Sequence, residues 1–184
     1  MRLILVRHPR PITAPGLCYG STDLAVAPDD LARVLADLQT DLQTTLPADA
    51  PVFSSPLQRC AVLATALKRP SLTFDPRLAE MDFGDWEMRH WNSIARADID
   101  AWTDDLIRYR PGGGENVLDM ATRVGAFRAD ARRLPHDSVI VVCHAGTMRL
   151  LAAWDDGLTL ADIAARAAGT PHDIGYGERM IVQC

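Results

Sequence analysis

The sequence predicts an α/β protein built as a three-layer sandwich, with a mostly parallel central sheet and helices on both faces. Two observations predict it. Short apolar runs of strand character recur along the 184 residues, and stretches with helical apolar spacing separate them. The opening run, LILV at 3–6, meets Arg7 and His8 and then Pro9 and Pro11. It therefore reads as a buried strand whose exit is closed by proline.

The elements follow in order. Pro28, Asp29 and Asp30 open a helix, since proline suits the first turn and acids suit the positive dipole end. Leu31, Val34, Leu35, Leu38 and Leu42 give that helix its apolar face. PVFSS at 51–55 is a short strand. Pro56 then starts a helix with Leu57, Cys60, Ala61, Ala64 and Leu67 on one face, and Ser55 is placed to cap it. SLTF at 71–74 reads as a third strand. One amphipathic stretch carries Trp91, Ile94, Ala95 and Trp102, and another carries Val117, Met120, Ala121, Val124 and Phe127. PGGGE at 111–115 lies between them as a loop. SVIVVC at 138–143 is the most strand-like run, and a helix after Gly146 carries Met148, Leu151 and Trp154. RMIVQC at the C-terminus is expected as an edge strand.

Composition narrows the function. At 48% hydrophobic and 23% charged residues, the chain has the profile of a soluble single domain, 1–184. Its net charge of -5 argues against a nucleic-acid or anionic-membrane surface. No apolar stretch is long enough to span a bilayer, and the N-terminus lacks a signal-peptide layout. Cys18, Cys60, Cys143 and Cys184 show no paired spacing, which suits reduced thiols in a cytoplasm. His8, His90, His136, His144 and His172 show no ligand spacing, so neither a metal nor a cofactor is expected. His90, His136 and His172 are expected at the surface. A homodimer is the oligomeric state kept open.

Three strand ends carry the chemistry. The first strand ends in Arg7-His8. The second leads into SSPLQR, which places Arg59 in the first turn of a helix. The strand at 138–143 leads into CHAG, which places His144 before another helix. In a parallel sheet these C-terminal edges lie side by side. Two arginines, two histidines and two helix N-termini would then surround one spot that attracts phosphate. A neutral imidazole there can attack phosphorus and form a covalent intermediate. Taken alone, Arg7-His8 also fits a solvated charge pair at a strand end.

The residues resemble the histidine phosphatase superfamily, also called phosphoglycerate mutase-like. LVRHPRP is similar to its R-H-G signature, SSPLQRC to its S-S-P-L-x-R segment and LAEMDFGDWE to its L-x-E-x-x-F-G-x-W-E segment. PGGGEN is similar to its P-G-G-E segment and VVCHAGTMRLL to its second histidine segment. The resemblance implies a phosphate pocket of Arg7, His8, Arg59 and His144, with His8 as nucleophile and Glu80 as proton donor to the leaving oxygen. Residues about 76–115 are then a helical and loop insertion over the site. The other nitrogen of His8 needs an acceptor to fix its tautomer. Met81, Phe83 and Trp86 could give Glu80 an apolar setting; a surface carboxylate is the plainer alternative.

The chain also departs from the pattern. Pro9 stands where the signature has glycine, and Arg10 where glutamate is frequent. The asparagine that often follows is absent, leaving Thr13 or Ser54 as candidate phosphate ligands or as ordinary loop hydroxyls. Ala145 replaces a frequent glycine. GLCYGSTD resembles a stretch of α-ribazole phosphatase-like members, which act in cobalamin assembly, and brings Tyr19 and Ser21 into the expected substrate pocket.

One competing motif lies in the same segment. CHAGTMR at 143–149 fits C-x5-R, in which Cys143 would be the nucleophile, Arg149 the clamp and Asp137 or Asp85 the acid. Cys143 as a small buried residue is the plainer reading. Among functions, hydrolysis of a small phosphate ester competes with mutase-type phosphotransfer and with a silent phosphate-binding module. A mutase must shield its phosphohistidine from water. Little beyond one helix and a tail is expected after the second histidine segment to do so, and this favours hydrolysis.

Overall fold

A computed structural model describes residues 1–45, 49–171 and 173–184, with no side-chain account for 41–45. The Leu42 and His172 expectations thus fall outside the described side chains. The sheet is formed by β1 (Arg2–Arg7), β2 (Val52–Ser54), β3 (Leu72–Phe74), β4 (Ser138–Cys143) and β5 (Arg179–Gln183) in the order β3-β2-β4-β1-β5. The first four run parallel, and β5 closes the edge antiparallel to β1. Helices α1 (Pro28–Thr45) and α2 (Gln58–Ala66) cover one face. Helices α4 (Val117–Ala131), α5 (Ala145–Ala153) and α6 (Leu160–Gly169) cover the other, while α3 (Arg96–Asp104) lies to one side.

Residues 3–6 of β1 and 139–143 of β4 are apolar without interruption because both faces are covered. Leu3, Leu5, Val139 and Val141 pack with Phe127, Met148 and Ile163 in one layer. The alternate residues Ile4, Val6, Ile140 and Val142 pack with Val34, Leu38 and Leu63 in the other. Strand pleat sends successive side chains to opposite faces, so a continuous apolar run fills both layers. β1 and β4 pair in register from Arg2 opposite Ser138 to Arg7 opposite Cys143.

Several elements differ from expectation. α2 begins at Gln58, with Leu57 as N-cap and no side-chain cap. Ser55 Oγ does accept from the Leu57 N–H at 3.3 Å, just ahead of α2, and it also contacts a histidine, as described below. The stretch 91–102 is not one helix: Trp91–Ser93 is a 3-10 turn, Ile94 is extended and α3 starts at Arg96. A separate aromatic cluster explains the break, with Trp91 and Trp102 stacked 6.1 Å apart at 6° and both edge-on to Trp86. α5 starts two residues early, at Ala145, and Trp154 is its C-cap. α6 was not anticipated, although Thr159 and Asp162 form a capping box at its start. The expected loop at 111–115 includes a 3-10 turn at Pro111–Gly113.

Leu5 is fully buried on the α4–α5–α6 side of the sheet. Leu5→Ala should cost about 3 kcal/mol in urea unfolding, because the close-packed layer cannot collapse onto the void.

Candidate active site

The register of β1 with β4 brings the two histidines together. His8 follows β1, His144 is the N-cap of α5, and their ring centroids lie 5.0 Å apart. The His8 backbone N–H donates to the Cys143 carbonyl at 3.1 Å, continuing the ladder past the strand end. Both rings are buried. His8 Nδ1 lies 2.7 Å from the Pro9 carbonyl oxygen, which can only accept, so Nδ1 carries the proton and Nε2 keeps its lone pair. The missing N–H of Pro9 is no handicap here, because the site uses its carbonyl. His144 Nε2 lies 2.9 Å from Ser55 Oγ and 3.4 Å from Cys60 Sγ.

Two arginines flank the pair, and among the described residues neither forms an ion pair with a carboxylate. Arg7 donates from Nη1 to the Ile174 carbonyl and lies 4.1 Å over the ring of Tyr176. Arg59, fully buried in the first turn of α2, donates from Nη1 to the Thr22 carbonyl at 2.8 Å and from Nη2 to the Gly20 carbonyl. Carbonyls orient a guanidinium but leave its charge uncancelled. Burial, followed by the charge of Arg59, pulls the His8 pKa down from 6.5 to about 3, with Arg7 adding and the Pro9 carbonyl opposing. Burial likewise holds His144 well below its usual range, with His8 and the arginines contributing.

Glu80 approaches from the loop between β3 and α3. Its Oε2 accepts from the Gly146 N–H at 3.1 Å and its Oε1 from the Met81 N–H at 3.1 Å. Arg123 on α4 fixes that loop, donating to the carbonyls of Arg77 and Ala79 at 2.7 Å while pairing with Glu115. Glu87 ties the loop to the segment that holds Arg59. Its carboxylate accepts from the amides of Gly20, Ser21, Thr22 and Phe83 at 3.0, 2.9, 3.2 and 3.0 Å. Burial acts to raise the Glu87 pKa, but the Thr22 hydroxyl and these amides outweigh it and hold it low. Gly20 is required for this approach: a Cβ there would sit 1.9 Å from the Met81 carbonyl oxygen.

These groups border a cavity of about 350 Å³. Of the expected site residues, Arg7, His8, Tyr19, Arg59, Glu80 and Ala145 line it. His144 stands against His8 and does not reach the cavity wall. Thr13 and Ser21 also stay outside. Thr13 Oγ1 turns to the Ala14 carbonyl, and Ser21 Oγ donates to Asp82 and Glu87. Ser54 is buried and donates to the Ser55 carbonyl. The α2 N-terminus is partly occupied, since the Gln58 N–H donates to Asp23 at 2.6 Å.

The C-x5-R arrangement does not form a phosphate loop. Cys143 is fully buried in the core, and burial pushes its thiol well above the usual range, with Cys60 and Glu80 adding. Arg149 donates to the carbonyls of Ala168 and Thr170 at the end of α6. Asp85 and Asp137 do not line the cavity.

Sequence reasoning missed Tyr176, whose hydroxyl lies 2.8 Å from that of Tyr19, and the roles of Gly146 and Arg123. Among the described residues no group of three or more His, Cys, Asp or Glu side chains could hold a metal, and no helix is long and apolar enough to cross a membrane.

A buried histidine pair at parallel strand ends, beside unpaired arginines and a carboxylate on a cavity, defines an α/β protein equipped to handle phosphate. Residues 3–171 match the model of the histidine phosphatase superfamily (branch 1), and the chain belongs to that family. It is 30% identical to the adenosylcobalamin/alpha-ribazole phosphatase of Escherichia coli strain K12, over 83% of this chain and 78% of that one. It is also similar to the structure of the alpha-ribazole phosphatase from Shigella flexneri. The TM-score is 0.81 at 26% identity, over 100% of this chain and 90% of that one. The mycobacterial glucosyl-3-phosphoglycerate phosphatase shares the fold, with a TM-score of 0.74 at 23% identity over 99% and 89%.

The depressed histidines link stability to pH. As pH falls through 6.5 the unfolded chain protonates His8, whereas the folded chain does so only near pH 3, so stability drops across that window. From pH 7 to pH 5 His8 alone should account for about 2 kcal/mol. His8→Ala should flatten this dependence of urea unfolding by that amount.

Proposed function

We propose that this chain is a phosphomonoester hydrolase that works through a phosphohistidine on His8. The observation that carries the reading is the Nδ1–H of His8 held by the Pro9 carbonyl, which leaves Nε2 as a lone pair beside two arginines without counterions. Nε2 attacks phosphorus, the N–P bond forms and the P–O bond to the leaving group breaks. Glu80, in its acid form, gives the leaving oxygen its proton. Water then attacks phosphorus and breaks the N–P bond. Glu80 takes up the water proton, and inorganic phosphate is released. Arg7 and Arg59 stabilise the equatorial oxygens, and His144 positions His8 from behind.

Two features favour hydrolysis over return of the phosphoryl group to another hydroxyl. Glu80 also borders a second, polar cleft of about 500 Å³ with Asp82, Glu115 and Arg123, which gives water access to the carboxylate. The relatives from Escherichia coli and Shigella flexneri are named phosphatases. Their names also support α-ribazole 5′-phosphate as the small-molecule substrate, and the apolar walls of the cavity suit an aromatic riboside. In this reading the chain is one domain acting in the cytoplasm, and residues 76–115 form the insertion that covers the leaving group.

The nucleophile is tested by trapping. His8→Ala should abolish turnover, whereas Cys143→Ala should keep most of it. Quenched enzyme should carry phosphate that is stable in alkali and labile in acid. An active His8→Ala sinks the mechanism.

Glu80 is tested by leaving-group basicity. Glu80→Gln should lose about a hundredfold or more on alkyl phosphates and much less on nitrophenyl phosphate, whose leaving oxygen needs little protonation. Arg59→Ala should impair both similarly, since it acts on the phosphoryl group they share. Equal losses in Glu80→Gln would make Glu80 a structural residue.

A further inference from the structure

Among the described residues, four buried side-chain nitrogens have no hydrogen-bond partner: Nε of Arg7, Arg59 and Arg149, and Nε1 of Trp102. All four residues wall the same cavity. Buried donors are nearly always satisfied, so a set of orphans around one cavity marks acceptors that arrive with a ligand. The phosphoryl group accounts for Arg7 and Arg59. Trp102 and Arg149 are left over, and no catalytic step uses them.

Both side chains are held in place before any ligand binds. The Trp102 ring is stacked on Trp91 and set edge-on to Phe83 and Trp86. Arg149 sits one turn beyond Gly146 on α5. Its Nη2 is held by the carbonyls of Ala168 and Thr170 at 2.9 and 2.6 Å. Those bonds account for a structural role, as the end of α6 gains a cation, but they leave Nε uncommitted. Among the described residues Arg149 forms no ion pair. Phe83, Leu106, Val117 and Leu150 share the cavity wall, so an apolar surface surrounds the two donors.

We propose that Trp102 and Arg149 form a second polar subsite, which binds a hydrogen-bond acceptor on the leaving group of the ester. The inference rests on the phosphatase reading and narrows its substrate class. The leaving group has a planar apolar body and carries a ring nitrogen or an oxygen in addition to the esterified one. An apolar body alone would leave both donors unsatisfied in a dry site, and a small polar leaving group would waste the apolar wall.

The test compares 1-naphthyl phosphate with the quinolinyl phosphates, in which one ring nitrogen is moved around the same frame. The quantity read is the quinolinyl-to-naphthyl ratio of kcat/KM for each isomer. It is measured in the wild type, in Trp102→Phe, which keeps an aromatic ring without the N–H, and in Arg149→Lys, which keeps a cation without Nε–H. Leaving-group acidity cancels when the ratios are compared between proteins. For at least one isomer the ratio should fall about tenfold in each variant, the worth of one hydrogen bond in a desolvated site. Ratios that agree within about twofold across all isomers and all three proteins would overturn the inference. If Arg149→Lys fails to fold by circular dichroism, Trp102→Phe decides alone. A wild type that turns over no aryl ester overturns the parent reading, and the subsite with it. That result is distinct from turnover with unchanged ratios.

Discussion

The parallel pairing of β1 with β4 is the constraint on which the site depends. Both strands are buried on both faces, so a slip of one residue would exchange the side chains of the two core layers. The register is therefore fixed by packing far from the cavity. Arg7 lies opposite Cys143, and the next residue on each strand is a histidine. Neither histidine is placed by its own loop alone. The His8 amide still donates to the Cys143 carbonyl, so the sheet's hydrogen bonding extends into the site. Rigid elements hold reacting groups more precisely than loops do.

The site is electrostatically incomplete by construction. Arg7, Arg59 and the histidine pair lie together in a desolvated region, and the nearby carboxylates are committed elsewhere. Glu87 spends its lone pairs on four loop amides, and Glu80 faces Gly146 and Met81. Backbone carbonyls orient the two guanidinium groups without cancelling their charge. Burial and these cations keep both imidazoles neutral. A phosphate dianion supplies the charge that the fold withholds. The same imbalance that costs stability in an empty core favours an anionic ligand.

Much of this was legible in the sequence, for physical reasons. Continuous apolar runs identify buried strands whatever packs on them, so the apolar parts of β1 and β4 are legible and place Arg7 and His8 at a strand end. Arg59 follows from the helix start after β2, whereas Glu80 enters only through the resemblance of LAEMDFGDWE. The failures are tertiary. Ser55 has the residue type and position of a helix cap and does accept from the Leu57 N–H, but its hydroxyl also serves His144 and the helix starts later, at Gln58. Trp91 and Trp102 keep helical spacing, but stacking of their rings against each other breaks the helix between them. Thr13 and Ser21 stand in the right loops, but a rotamer decides whether a hydroxyl faces the cavity, and sequence does not encode that directly. Tyr176 lies in a segment without periodicity, and only the fold brings it over Arg7. The capping box at Thr159 and Asp162 was a readable signal for α6 that went unused.

The cavity is assembled from two kinds of element with different freedom to change. At the phosphate end, Arg7, His8 and Arg59 sit at strand ends or in the first turn after them, where a shift would disturb the sheet. The remaining wall comes from Phe83, Trp102 and Leu106 in the segment between β3 and α4, and from Ala167 and Ala168 on α6. The former carries its own aromatic cluster, and Phe83 and Trp102 pack in addition against the core layer of α4, α5 and α6. In the proposed mechanism, phosphoryl chemistry and leaving-group recognition fall on different elements, which meet at Glu80. That carboxylate receives an N–H from α5 on one side, and its loop is anchored by Arg123 on the other. On the proposed mechanism, substitutions at Phe83, Trp102 or Leu106 reshape the leaving-group wall, while His8 stays fixed by the strand register and Glu80 by the loop that Arg123 anchors.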